Sequence, residues 1–472
     1  MGQGNNVPRS VTPDRQGMTL EPHMKLVDRY GNTVSAGNRT ALDLYDRAVS
    51  QLAIYRTDPM ATIDEALGTD PGFVMGHCFK AGLLATTSEQ GCEAGIAATL
   101  DAADRHIGHA LERERLHLGA ARAWLNRDFA GAAKLYGDIC AEHPRDLLAL
   151  QYAHLLDFLL GNSTMLRDRP AQVLHAWNDL DAQRGQVLGM YAFGLEECGA
   201  YDDAEALGRR AVDLNPADVW AVHSVAHVYE MRGQARAGID WIRNTSFGWS
   251  EHNFFAFHNF WHLALYHVDN CDYVSALDVY DAHVRPVPTR VAGEMVDASA
   301  MLWRLRLRGV DVGDRWNELA ANWESLGDEG YYAFNDVHAL MAFLATGNDR
   351  QVARIVAALE SAAQRSDTNG MMSREVGLPM ARALCAFEGR DFEVAIDELQ
   401  RIRAHANRFG GSHAQRDLLH LTVTEAALRA GRRSLARALV EERLSRKPRN
   451  DFNMALLTRA RGLAAEDQMR VS

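Results

Sequence analysis

The stretch HNFFAFHNFWHLALYH, residues 252–267, sets four histidines among large aromatics and carries no Asp, Glu, Lys or Arg. His258 and His262 are four apart, so a helix would put both imidazoles on one face, one turn apart. Thirty-five residues earlier, AVHSVAHVYE repeats the spacing with His223 and His227, and Glu230 follows three residues on along the same side. Two such pairs on neighbouring helices, whose axes lie about 8–10 Å apart, can face one another. Imidazole suits zinc, iron, copper or nickel, and two pairs supply up to four nitrogen ligands, with Glu230 as an oxygen ligand or supporting partner. Ser224 and Asn259 stand where the metalloprotease motif needs Glu after its first His, so that mechanism is not indicated. The metal-free alternative is acid–base chemistry by His223, His227, His258 and His262, oriented by Glu230 or Asp336 and screened from water by Trp261 and the neighbouring Phe residues. For most single histidines, packing or local hydrogen bonding is the simpler explanation; the paired spacing sets this group apart.

These residues need elements to hold them. NRDFAGAAKLY, CGAYDDAEAL, NCDYVSALDVY and GRDFEVAIDEL share a turn, an aromatic and an alanine three residues on: Phe129 and Ala132, Tyr201 and Ala204, Tyr273 and Ala276, Phe392 and Ala395. The first three aromatics recur at intervals about twice the ~34-residue tetratricopeptide period. Small alanines let antiparallel helices approach, and each helix pair buries its open face on the next. Strand signals are poor. The expected fold is all-α, a tetratricopeptide-like α-solenoid curved around a concave inner pocket. It is expected to run over 38–465 as a single unit, with 1–37 a disordered or partly ordered leader and 466–472 a tail.

Six scattered cysteines without a C-x-x-C pair suit a reducing, cytoplasmic setting. The chain shows no apolar run long enough to span a bilayer. A net charge of −12 argues against nucleic acid or an anionic membrane as the partner. Glycine-rich phosphate loops are missing, so no nucleotide cofactor is expected.

Six further segments carry a resemblance: DPGFVMGH (70–77), DVWAVHSVAHVYEM (218–231), HNFWHLALY (258–266), FNDVHALMA (334–342), REVGLP (374–379) and GGSHAQRD (410–417). Through them the chain resembles the tetratricopeptide repeat protein 38 family, soluble helical-repeat proteins found in bacteria and animals, over roughly 40–460. The resemblance implies the α-solenoid and no settled activity. The same segments supply further candidates for a pocket wall: His77, Asn259, Trp261, Asp336, His338, Arg416 and Asp417. The functional expectation is a small-molecule pocket on the concave face, catalytic through histidine or through a His-bound divalent metal such as zinc or iron. The alternative is a non-catalytic scaffold that binds a partner segment in the groove. A homo-oligomer is compatible with either.

Overall fold

A computed structural model describes Met1 and residues 26–327 and 329–471, with side chains to 462. The first part of the expected leader lies outside the described residues. Its remainder forms a two-stranded antiparallel hairpin, Leu26–Val27 with Thr33–Val34, whose Tyr30 and Val34 are buried. Among the described residues this is the only named sheet; everything from Arg39 onward is helices and their connections.

The repeated turn has a clear local cause. Arg127, Cys271 and Arg390 take left-handed φ values of 56–63°. The next residue, Asp128, Asp272 or Asp391, caps the following helix by accepting from the backbone N–H three residues on. The aromatic then opens that helix. The matching alanines, Ala132, Ala204, Ala276 and Ala395, are fully buried, where a larger side chain would hold the paired helices apart.

Two kinds of helix result. Outer helices such as Tyr201–Leu214 bury one stripe, here Ala204, Gly208, Ala211 and Val212. Inner helices are buried all round. In Val219–Arg232 every residue from Val219 to Glu230 is inaccessible, and Ala256–Asp269 and Ala292–Leu307 are nearly so. A helix apolar on all sides belongs in an interior. The chain provides that interior itself: the helix His413–Arg429, near the C-terminus, packs against the inner helices Val219–Arg232 and Ala292–Leu307. Trp303 Nε1 donates to Thr422 Oγ1 at 3.1 Å, and the buried Arg304 guanidinium donates to Ala414 O at 2.7 Å.

Close approach between layers depends on glycine at Gly238. A Cβ there would lie 2.3 Å from the ring of the buried Tyr266, whose hydroxyl donates to Ala226 O at 2.6 Å. That bond and Asn259 Nδ2 donating to Val219 O at 3.1 Å clamp the helices Val219–Arg232 and Ala256–Asp269 at both ends. They fix the register in which the two histidine pairs meet.

Candidate functional site

The four histidines converge. His223 and His227 project from Val219–Arg232, and His258 and His262 from Ala256–Asp269. Ring centroids lie 4.4 Å apart for His223–His227, 4.5 Å for His227–His262 and 4.9 Å for His223–His258. One nitrogen from each of the four lies within 4.8 Å of the others. His258 Nε2 is 3.1 Å from His223 Nε2. For comparison, two ligands at zinc–nitrogen bond lengths on a tetrahedral ion sit about 3.3 Å apart. His227 and His262 are fully buried; His223 is 1% and His258 7% exposed.

Burial dominates their protonation. Desolvation, with the neighbouring imidazoles adding to it, holds His223 and His262 well below the ordinary histidine range, and burial pushes His227 down to about 3. These three rings are neutral at pH 7. His223 Nδ1 and both ring nitrogens of His227 and His262 lack a hydrogen-bond partner. Each orphaned buried polar atom costs on the order of 1–3 kcal/mol. Neutral, convergent, partnerless imidazoles form a donor set that fits a divalent transition metal.

Two carboxyl groups support the cluster. Asp297, from Ala292–Leu307, lies 2.6 Å from His258 Nδ1. Its oxygen accepts, so the proton sits on Nδ1 and Nε2 is left to face the cluster. Glu196, from Arg184–Glu197, places Oε2 3.3 Å from His227 Nδ1 without hydrogen-bond alignment. Burial, reinforced by the adjacent Glu197, pushes the Glu196 carboxyl well above the usual range. Glu197 is held below it despite burial by Arg416 and His413. Sequence reasoning missed Asp297 and Glu196. A usable signal exists: the inner helices carry His223, His258 and Asp297 at intervals close to one helix pair.

Of the remaining sequence candidates only Trp261 packs on the cluster. Glu230 neither coordinates with the cluster nor orients it; it is 2.6 Å from the Lys447 ammonium, which also reaches Asp269. His77 bonds Pro71 O at 2.9 Å, and His338 bonds Phe334 O at 2.7 Å. Asn259 is the helix clamp described above. Asp336 accepts from Gly330 N–H at 3.0 Å. Trp261 stacks on His258 with centroids 5.3 Å apart and lies beneath the Arg304 guanidinium. Arg416 pairs with Glu197, and Asp417 with Arg443.

Two cavities flank this region. One, of about 480 Å³, has Trp220, His223, His258 and Asp297 in its wall. The other, of about 580 Å³, lies beside the C-terminal helices and collects Arg403, Arg416, Arg443, Arg446 and Lys447 with Glu197, Glu230, Asp417 and Glu442. Each of these five cations is paired with a carboxylate of the same wall. No helix among the described residues is long and apolar enough to cross a membrane.

The molecule is thus an all-α superhelix of tetratricopeptide-like helix pairs. No protein-family model matches the chain. Among solved structures it is similar to a human IFIT1 dimer with m7Gppp-AAAA (14% identity, TM-score 0.41, covering 93% of this chain and 96% of that one). It is also similar to yeast Tom70 (12%, 0.35, 91% and 96%) and to the APC/C hetero-tetramer Cut9–Hcn1 (12%, 0.33, 90% and 96%). Likenesses this distant carry nothing about chemistry or partners.

Proposed function

We propose that His223, His227, His258 and His262 hold one divalent transition metal ion inside a helical-repeat scaffold, and that the adjoining cavity brings a small organic molecule to it. The observation that carries this reading is the convergence of four buried imidazoles, three of them neutral at pH 7 and with partnerless nitrogens. Packing alone would fill such positions with Leu or Phe, at no cost in unsatisfied polar atoms. A metal held there supplies Lewis acidity. The chain's own groups supply orientation: Asp297 fixes the tautomer of His258, and the Asn259 and Tyr266 clamps fix the distance between the two helices. The resemblance to the tetratricopeptide repeat protein 38 family supports the scaffold and adds no reaction.

The test is elemental analysis of protein purified without a metal-affinity tag. About one divalent ion per chain is expected, falling strongly in His227→Ala and His262→Ala variants that keep the wild-type circular dichroism spectrum. Protein that stays near zero after incubation with zinc, iron, cobalt, nickel and copper in turn would sink the proposal.

The partner-segment scaffold stands as the second reading, favoured by the helical-repeat fold and by the charged groove beside the C-terminal helices. Photocrosslinking from position 404, an exposed alanine of the same wall, tests it. A defined crosslinked partner, lost when Glu replaces Arg403 and Arg446, supports it; crosslinks that survive the charge reversal count against it.

A further inference from the structure

The 480 Å³ cavity has a graded wall. At its rim Thr57, Thr87, Phe254, Val291 and Gly293 are exposed; at its floor Trp220, His223, His258, Asp297 and Phe334 are buried. Between them Met60, Leu83, Leu84, Leu155 and Phe158 make a half-buried apolar wall. The rim is braced rather than loose: Thr57 N–H donates to His252 O at 2.9 Å and Phe254 N–H to Tyr55 O at 3.0 Å. The volume is that of a site for a drug-sized molecule.

The charges in the wall are decisive. Asp58, Glu89 and Asp297 contribute to it, and among the described residues no Lys or Arg does. Glu89 already accepts from Ala292 N–H at 3.0 Å, and Asp297 is taken by His258. An anionic ligand would meet carboxyl groups and no protein cation. A cationic one would find the floor carboxyl already engaged. An uncharged ligand suffers neither penalty. The floor offers little polar surface: His223 Nδ1 is buried within the wall, both His258 nitrogens are taken by Asp297 and His223, and Tyr55, Trp220 and Phe255 crowd together there with centroids 4.9–5.6 Å apart.

We infer that this cavity takes an uncharged, largely apolar organic molecule. The inference rests on the reading of the cavity as a small-molecule site and is stated for the metal-free protein, since a divalent ion on the histidines would bring positive charge to the floor.

The experiment follows N-phenyl-1-naphthylamine fluorescence on the full chain freed of metal by a chelator, with displacement by decan-1-ol, decanoate and decyltrimethylammonium. The probe should bind and brighten. Decanol should displace it at concentrations about tenfold or more below those of either charged compound, the least that one unmatched charge in an apolar wall should cost. Gly293→Trp, a plug at an exposed rim position where an added Cβ would have no neighbour closer than 3.6 Å, should abolish binding with the helical spectrum unchanged. Leu84→Trp in the wall serves the same purpose should Gly293→Trp fold poorly. Met60→Lys should bring decanoate level with decanol or past it. Equal or better competition by decanoate or the ammonium compound in the wild type overturns the ligand class while leaving a small-molecule site standing. Absence of any probe binding, or binding that both plugs leave intact, overturns the cavity reading itself.

Discussion

Asp297 holds His258 from behind: its Oδ2 lies 2.6 Å from Nδ1 of the ring, and the opposite nitrogen of that ring lies 3.1 Å from His223. The carboxyl therefore selects which nitrogen faces the other imidazoles. Asp297→Asn keeps the shape and can present its amide N–H to the ring, which reverses the tautomer. For a metal-holding cluster the expected result is a loss of affinity of about 10–100-fold with a wild-type melting profile, read by competition with a chromogenic chelator. Unchanged affinity in a folded variant would remove Asp297 from the site.

Acid should release the metal later than free imidazole chemistry implies. An ordinary histidine starts to protonate near pH 6.5. Burial has already pushed His227 to about 3 and set His223 and His262 well below their usual value, so protons compete poorly for these nitrogens. Occupancy of a preloaded protein should stay level from pH 7 to about 5 and fall only in stronger acid. Equilibrium dialysis at fixed zinc across that range checks it; half-release near pH 6.5 would mean the rings are hydrated in solution.

The histidine pairs were legible because each is a local pattern, four residues on one helix, recurring at the spacing of a helix pair. The fold was legible for a similar reason, since the aromatic–alanine signature writes the same short-range packing need several times. Asp297 and Glu196 were not. Each is a lone carboxyl on a neighbouring inner helix, and nothing beside it in sequence marks it as facing a histidine. Glu230 shows the converse failure. It lies one turn beyond His227, which suggests partnership, yet Lys447 takes its carboxyl from 217 residues away. The packing of His413–Arg429 on Val219–Arg232 and Ala292–Leu307 is equally non-local. Sequence periodicity describes each helix pair and is silent about where the end of a superhelix turns back.

His154 should control part of the acid stability. It is fully buried, neither ring nitrogen has a hydrogen-bond partner, and Phe193 and Trp220 pack on its ring with centroids 5.9 and 5.5 Å away. Burial pushes it down to about 3. The unfolded chain takes up this proton near pH 6.5 while the folded chain refuses it, so stability is full above 6.5 and falls as pH drops toward 3. At pH 5 the penalty is about 2 kcal/mol. His154→Leu removes it. Urea unfolding should show the variant gaining about that much on the wild type between pH 7 and pH 5; parallel pH profiles would contradict the assignment.

Glu196 and Glu197 are adjacent and buried, yet they should respond in opposite ways to the same substitution. Both carboxyl oxygens of Glu196 lack hydrogen-bond partners, and desolvation next to Glu197 favours its protonated form. Glutamine there exchanges one neutral group for another of similar shape, so Glu196→Gln should change stability by less than about 1 kcal/mol. Glu197 is charged and engaged: it accepts from His413 N–H at 2.8 Å and pairs with Arg416 at 3.2 Å, joining the inner helix Arg184–Glu197 to the start of the helix His413–Arg429. Glu197→Gln leaves the Arg416 guanidinium, itself only 8% exposed, without its counter-charge. Breaking one side of a buried pair costs about 3–5 kcal/mol. The loss should concentrate in the docking of His413–Arg429, so hydrogen exchange should rise in that helix before it rises in Val219–Arg232. Equal, small effects of the two substitutions in urea unfolding would show that Glu197 and Arg416 do not hold the C-terminal helix in place.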